Sequence, residues 1–239
     1  MMKRALIGGG LLAALLVSGG DAGAGTGGFT FTPPAGWIDI SRGAPEAQRA
    51  KAPPALRAQA DNPTMAFMAM DAADWDDGFI ENMNAVVQTG KRALPSTPEV
   101  LAEVVKGIEQ EAGKGGFTYH ATKMEIVKVG GVPAGRLVGD LKGPGVVAKL
   151  VQYSIPGDKA QAMLTYTTTP ANFARYEPLF DASAQATLGA VEAKTSSISQ
   201  SAQIGAIAGA IGGAVGAMLA ARAKRRKQQR QAPPPATPA

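Results

Sequence analysis

Residues 116–169 limit what this chain can fold into. Four segments lie there: "GFTYHATKMEIVKV" (116–129), "VPAGRLVGDLK" (132–142), "GVVAKLVQYSIPG" (145–157) and "KAQAMLTYTTT" (159–169). Each is rich in strand-forming residues, and glycine-containing turns separate them. Turns this short cannot carry the long crossover that a parallel pair needs, so the segments predict a meander of mostly antiparallel strands.

Upstream, "TMAFMAMDA" (64–72) and "ENMNAVVQTG" (81–90) read as two more strands. After Pro98, "EVLAEVVKGIEQEAG" puts Leu101, Val104, Val105 and Ile108 on one helical face, with acids near its start. A last helix begins near Pro170, and Pro178 within it predicts a kink or break. "FTFTPPAGWIDIS" alternates around a Pro-Pro-Ala-Gly corner, which predicts short strands on either side, with Trp37 as a core anchor. The order β-β-β-α-β-β-β-β-α predicts an α+β fold, a central mostly antiparallel sheet flanked by helices. Residues 41–63 hold four prolines and read as a long irregular excursion with a short helix near Leu56. Loops of that length are often binding segments.

Little in this sequence points to reaction chemistry. There is no cysteine, which excludes disulfides, thiolate metal sites and a cysteine nucleophile. His120 is the only histidine, so a zinc site lacks ligands, and its place in a strand beside Tyr119 predicts a surface or cross-strand role. Asp71, Asp74, Asp76 and Asp77 do not follow the calcium-loop spacing and read as a solvated acidic loop. "GKGG" (113–116) lacks the serine or threonine of a phosphate loop, and no serine sits in a Gly-x-Ser-x-Gly elbow. No cofactor is implied.

The two ends differ from the middle. The net charge is +5, but eight of the 24 basic residues lie at the termini and all 19 acidic ones lie between Asp21 and Glu192. The middle is therefore slightly acidic, the reverse of a nucleic-acid binder. Residues 1–24 show a basic start, an apolar run and the small-residue site Ala22-Gly23-Ala24, the layout of a signal peptide. Residues 203–221 are uncharged and glycine-rich and are followed by "RAKRRKQQR", which predicts a transmembrane helix with a basic, proline-rich cytoplasmic tail at 222–239. Gly205, Gly209 and Gly213 recur every four residues, a strip that permits helix–helix contact. These readings divide the chain into a signal peptide, a domain at 25–190, a linker at 191–202, the transmembrane helix and the tail.

The segments "FTFTPPAGW", "NMNAVVQTG", "GVPAGRLVG" and "LTYTTTPANFARYEPLFDASAQATL" together resemble the superfamily of the photosystem II PsbP protein and the Ran-binding Mog1 protein. The resemblance covers roughly residues 27–190 and holds no catalytic signature. It implies a central antiparallel sheet with packed helices and an adaptor or accessory role. It also implies Phe173, Tyr176, Leu179 and Phe180 as packing residues of the final helix. The combined expectation is a membrane-anchored, non-enzymatic envelope protein acting as a binding or accessory module. Its expected place is the bacterial cytoplasmic (inner) membrane, single-pass, with the domain on the periplasmic or extracellular side. Expected partners are membrane lipid, an envelope protein and a second copy through the transmembrane helix, with no nucleic acid. Two alternatives stand beside it: a small-ligand or lipid-binding envelope protein, and a hydrolase using His120.

Overall fold

The computed structural model describes residues 26–73, 79–89, 96–114, 116–143 and 146–192. Its strands are β1 (Ile38–Asp39), β2 (Met65–Met70), β3 (Asn82–Thr89), β4 (Thr118–Val129), β5 (Val132–Gly143), β6 (Val146–Pro156) and β7 (Ala160–Thr168). Its helices are α1 (Glu46–Arg49), α2 (Pro54–Ala60), α3 (Pro98–Lys114) and α4 (Phe173–Gln185). The strands form one sheet in the order β1-β2-β3-β7-β6-β5-β4, and every neighbouring pair is antiparallel. This is the α+β architecture expected from the sequence. A two-residue hairpin joins β4 to β5, where Val129 pairs with Val132 across Gly130 and Gly131. Both glycines have positive φ, 57° and 83°. A two-residue hairpin with that pattern matches the strand twist, and glycine takes it without steric cost.

Alternation along the strands sorts the core into two faces. Ala134, Val138, Val151, Tyr153, Leu164 and Tyr166 point to the side where α4 lies, and pack with Tyr176, Phe180, Trp37, Phe29 and Phe31. Leu137, Leu141, Ala148 and Leu150 point to the other side and meet α3 through Leu101, Val104 and Ile108. On that second face, Met68, Met70 and Val86 pack against Leu56 and Ala60 of α2. The domain is thus a sheet sandwiched between α4 with the N-terminal segment and α2 with α3. Aromatic pairs, both stacked and edge-on, fill the first side: Tyr166 stacks on Phe180 at 4.9 Å between ring centroids, and Trp37 meets Phe180 edge-on at 5.9 Å.

Several local expectations change. Residues 41–63 hold α2, the short helix expected around Leu56, and also α1, which was not expected; each opens directly after a proline N-cap. The corner at Pro33 has a two-residue strand, β1, on one side. On the other side it has only an isolated bridge between Thr30 and Leu188. Pro178 does not end α4, which runs through it from Phe173 to Gln185. Packing of Tyr176 and Phe180 on the sheet compensates for the hydrogen bond that proline cannot donate.

The membrane-anchored reading is corrected. Among the described residues no helix is long and apolar enough to cross a membrane. The inner-membrane localisation, the lipid partner and the homo-oligomer through a transmembrane helix lose their basis with it. The segment 203–221, with Gly205, Gly209 and Gly213, lies outside the described residues, as do the signal-peptide segment 1–24 and the tail 222–239.

Candidate functional site

The sheet ends at β4, and among the described residues no strand pairs with its outer side. Twelve residues long, β4 offers an edge of about 40 Å. Met124 and Ile126 lie on the α3 side of this edge, opposite Leu137 and Gly135 of β5, yet they are 48% and 39% exposed. Helix α3 packs against β4 and reaches β5 where Leu101 lies close against Gly135, yet it leaves these two side chains about half exposed. On the α4 side of the same strand stand Lys123 and Glu125, opposite Val138 and Arg136. Between Ala121 and Lys123 the register shifts, and the intervening Thr122 donates its hydroxyl to the Val138 carbonyl at 3.2 Å. The bulge moves the earlier residues by one phase, so His120 and Lys123 share a face although their spacing is odd.

Arg136 holds this edge strand to the rest of the domain. Its side chain is 3% exposed in a sheet position otherwise filled by apolar groups. Nη1 donates to Glu125 Oε1 at 2.6 Å and Nη2 to Glu177 Oε1 at 2.7 Å. Nε donates to Tyr153 Oη at 3.0 Å and Asp181 Oδ1 at 3.1 Å, and Tyr153 donates its own hydroxyl to Asp181. The second oxygen of Glu125 takes Lys123 Nζ at 2.9 Å. Burial favours the neutral carboxyl of Glu125, but the hydrogen bonds from Lys123 and Arg136 outweigh it and hold the group below its ordinary range. The Arg136 cation resists deprotonation despite its burial, because Glu177 and Tyr153 hydrogen-bond it. One cation thereby links β4, β5, β6 and α4.

The first face also buries a second polar cluster. Glu81 Oε1 accepts from Thr168 Oγ1 at 3.0 Å and from Asn172 Nδ2 at 3.1 Å, so Asn172 spends its amide there and not on capping α4. Tyr176 donates to Asp71 Oδ2 at 2.8 Å. Asp71 is buried, which corrects the solvated-loop reading at that position; Asp74, Asp76 and Asp77 lie outside the described residues. On the opposite face a belt of neutral polar residues crosses the central strands. Asn84, Thr165 and Gln152 are in register, and Asn82 pairs with Thr167 beside them, all buried. Gln152 Nε2 donates to Thr165 Oγ1 at 3.4 Å, whereas Gln152 Oε1 and Thr167 Oγ1 meet no hydrogen-bonding group among the described residues.

The residues singled out by sequence are scattered. Trp37, Tyr176 and Phe180 are buried in the α4-side core, and Phe173 is partly buried at its margin under Lys149 Nζ, 5.5 Å from the ring centroid. His120 is exposed on β4 opposite Asp140, whose carboxylate is held by Lys149 at 2.7 Å. The described residues contain no group of three metal-ligating side chains. Sequence reasoning missed the Arg136 network. Its signal was a lone arginine inside an apolar strand, with Glu177 and Asp181 one helical turn apart in the segment expected to pack on it.

No family model matches the chain, and no curated protein does. Among solved structures it is similar to the cyanobacterial PsbP protein CyanoP from Synechocystis sp. PCC 6803. The identity is 16% and the TM-score 0.46, over 71% of this chain and 96% of that one. It is also similar to LpqN of Mycobacterium tuberculosis, a protein involved in cell envelope biogenesis, at 16% identity and TM-score 0.40, over 66% of this chain and 81% of that one. A protein of unknown function from Pseudomonas aeruginosa, PA94, is similar at 21% identity and TM-score 0.35, over 45% of this chain and 72% of that one. A PsbP protein, of the superfamily whose resemblance was read from the sequence, is thus among these structures.

Proposed function

We propose that the domain at 25–190 is a non-enzymatic binding module that takes an extended polypeptide strand along the free edge of β4. The observation that carries this reading is the exposure of Met124 and Ile126 on a long edge strand with no described neighbour. Long edges with exposed apolar side chains are templates for pairing with another chain. Main-chain hydrogen bonds supply affinity in such complexes, and alternating side chains supply selectivity. Here the alternation asks for apolar residues beside Met124 and Ile126 and charged ones beside Lys123 and Glu125. The Arg136 network favours binding, since an edge held to α4 loses little conformational freedom when a strand docks. A non-enzymatic role fits the polar groups: the buried carboxylates are hydrogen-bonded, burial pushes the Tyr166 and Tyr176 phenols up towards the neutral form, and Asp140 beside His120 is committed to Lys149.

Displayed random peptides selected on the full chain, followed by hydrogen exchange, test the proposal. Selected peptides are expected to alternate apolar and polar residues, to slow exchange within 118–129, and to lose binding to Met124→Lys and Ile126→Lys. Peptides that protect another element, or that bind both variants unchanged, would overturn it.

One observation favours a second reading, a small hydrogen-bonding ligand on the opposite face. Gln152 Oε1 and Thr167 Oγ1 are buried within the polar belt with no partner among the described residues, and buried polar atoms ordinarily have one. The neutral amides and hydroxyls there suit a small uncharged polar molecule better than a lipid chain. A bound species in native mass spectrometry of the full chain, lost in Gln152→Leu, is the expected result. A ligand-free spectrum of folded protein would count against it.

A further inference from the structure

We infer that the strand received by β4 is β4 of a second copy of this chain, paired antiparallel about a two-fold axis at Met124. The inference rests on the strand-docking reading and names its occupant from the charge pattern of the edge. An antiparallel two-fold contact pairs each residue with its mirror position, so the side chain at the axis meets itself. Directly opposed residues share a face of the sheet, so the axis falls on a residue and not between two.

The choices differ sharply. Centring on Glu125 would set two carboxylates face to face, and like charges directly opposed destabilise a pair. Centring on Ile126 would set Met124 against Lys128 and leave Glu125 and Lys123 opposite valines. Centring on Met124 sets Lys123 of each copy opposite Glu125 of the other, twice, and sets Met124 on Met124. Lys123 already reaches Glu125 Oε2 of its own chain at 2.9 Å and is 57% exposed. An ammonium has three donors, so it can bridge both carboxylates.

Ile126 then lies over the bulge at Thr122 of the other copy. Past the bulge the phase change brings His120 level with Val127 on one face and Tyr119 level with Lys128 on the other. The bulge and the lysines are features that protect edges from indiscriminate pairing. Here they remove the competing registers and keep one. The result is a sheet continuous through both copies, with the exposed Met124 and Ile126 side chains covered.

The chain has no cysteine, so Met124→Cys introduces its only thiol. At the axis the two Cα atoms would stand about 4.5–5.5 Å apart, within disulfide range. The full-length Met124→Cys protein is oxidised mildly beside Glu109→Cys, an exposed control on α3. Met124→Cys is expected to form dimers at least roughly tenfold faster. Adding Lys123→Glu, which turns both attractive contacts repulsive, is expected to reduce that rate roughly tenfold. Circular dichroism checks that each variant folds, and wild-type protein should show concentration-dependent protection of 118–129 in hydrogen exchange. Equal rates at the two positions, with wild-type protein monomeric in sedimentation at high micromolar concentration, would overturn the inference. In that case selected peptides that still protect 118–129 would leave strand docking standing, and their absence would remove both.

Discussion

Replacing Arg136 by methionine tests whether the buried ion network holds the fold, because it keeps much of the side-chain volume and deletes the charge. In the native protein the guanidinium serves Glu125, Glu177, Asp181 and the Tyr153 hydroxyl. Removing one member of a buried ion pair costs about 3–5 kcal/mol, mostly because the partners stay desolvated. The carboxylates here are 30–39% exposed, so water can reach them and the lower end applies. We expect a loss of about 3 kcal/mol at pH 7, read by urea unfolding followed by circular dichroism. In a domain of this size that lowers Tm by roughly 6–12 °C. The pH dependence has a definite sign. Glu125 is held below its ordinary 4.5 in the folded protein, so its contribution is present at neutral pH and is lost as pH falls through the lowered value. The Arg136→Met chain lacks the guanidinium that helps hold Glu125 low and so lacks that contribution. Its deficit should therefore shrink between pH 7 and pH 4. A variant within about 1 kcal/mol of wild type at pH 7, or a deficit that grows on acidification, would refute the reasoning.

Phe180→Ala removes a fully buried ring stacked on Tyr166 and should cost about 3–5 kcal/mol in the same unfolding assay. Gly139→Ala would place a Cβ 2.5 Å from the Tyr119 ring, and should cost about 1–3 kcal/mol, partly recovered when Tyr119 is also shortened to valine. Tyr176→Phe deletes the hydroxyl that Asp71 accepts and should cost about 1.5–3 kcal/mol. His120→Ala, at an exposed strand position, should change stability by no more than about 0.5 kcal/mol, and a larger loss would reveal a structural contact there.

The long elements were legible because each repeats its pattern many times. The apolar face of α3 at Leu101, Val104 and Ile108 is set by local periodicity, and so are the four strands after it. Of the short helices, α2 was legible around Leu56, with Pro54 at its first position a recognised start signal, and α1 was not. The four residues of α1 are too few for periodicity to show. The Arg136 site depends on convergence: Glu125, Tyr153, Glu177 and Asp181 lie 11 to 45 residues away, and only strand register and the seat of α4 bring them together. Asp71 was misread for a similar reason, since its partner Tyr176 is 105 residues distant. The exposure of Met124 and Ile126 could not be read either, because their alternation with charged residues looks the same whether or not a helix covers them.

The place of β7 in the sheet has a consequence for how this protein is made. It is the last synthesised of the described strands, yet it lies between β3 and β6. Its pairs with β3 run from Asn82 with Thr167 to Thr89 with Ala160, spanning most of the domain. Until residues 160–168 leave the ribosome, the hairpins before and after α3 are two half-sheets, each with an unfilled inner edge. Contacts so distant in sequence carry a loop-closure cost before they contribute stability, which slows folding. Translation of the last strand and α4 should therefore set when the chain becomes protected from proteases. Any fragment ending before Ala160 presents two open edges at once, and the hazard of aggregation is concentrated in the interval before β7 inserts.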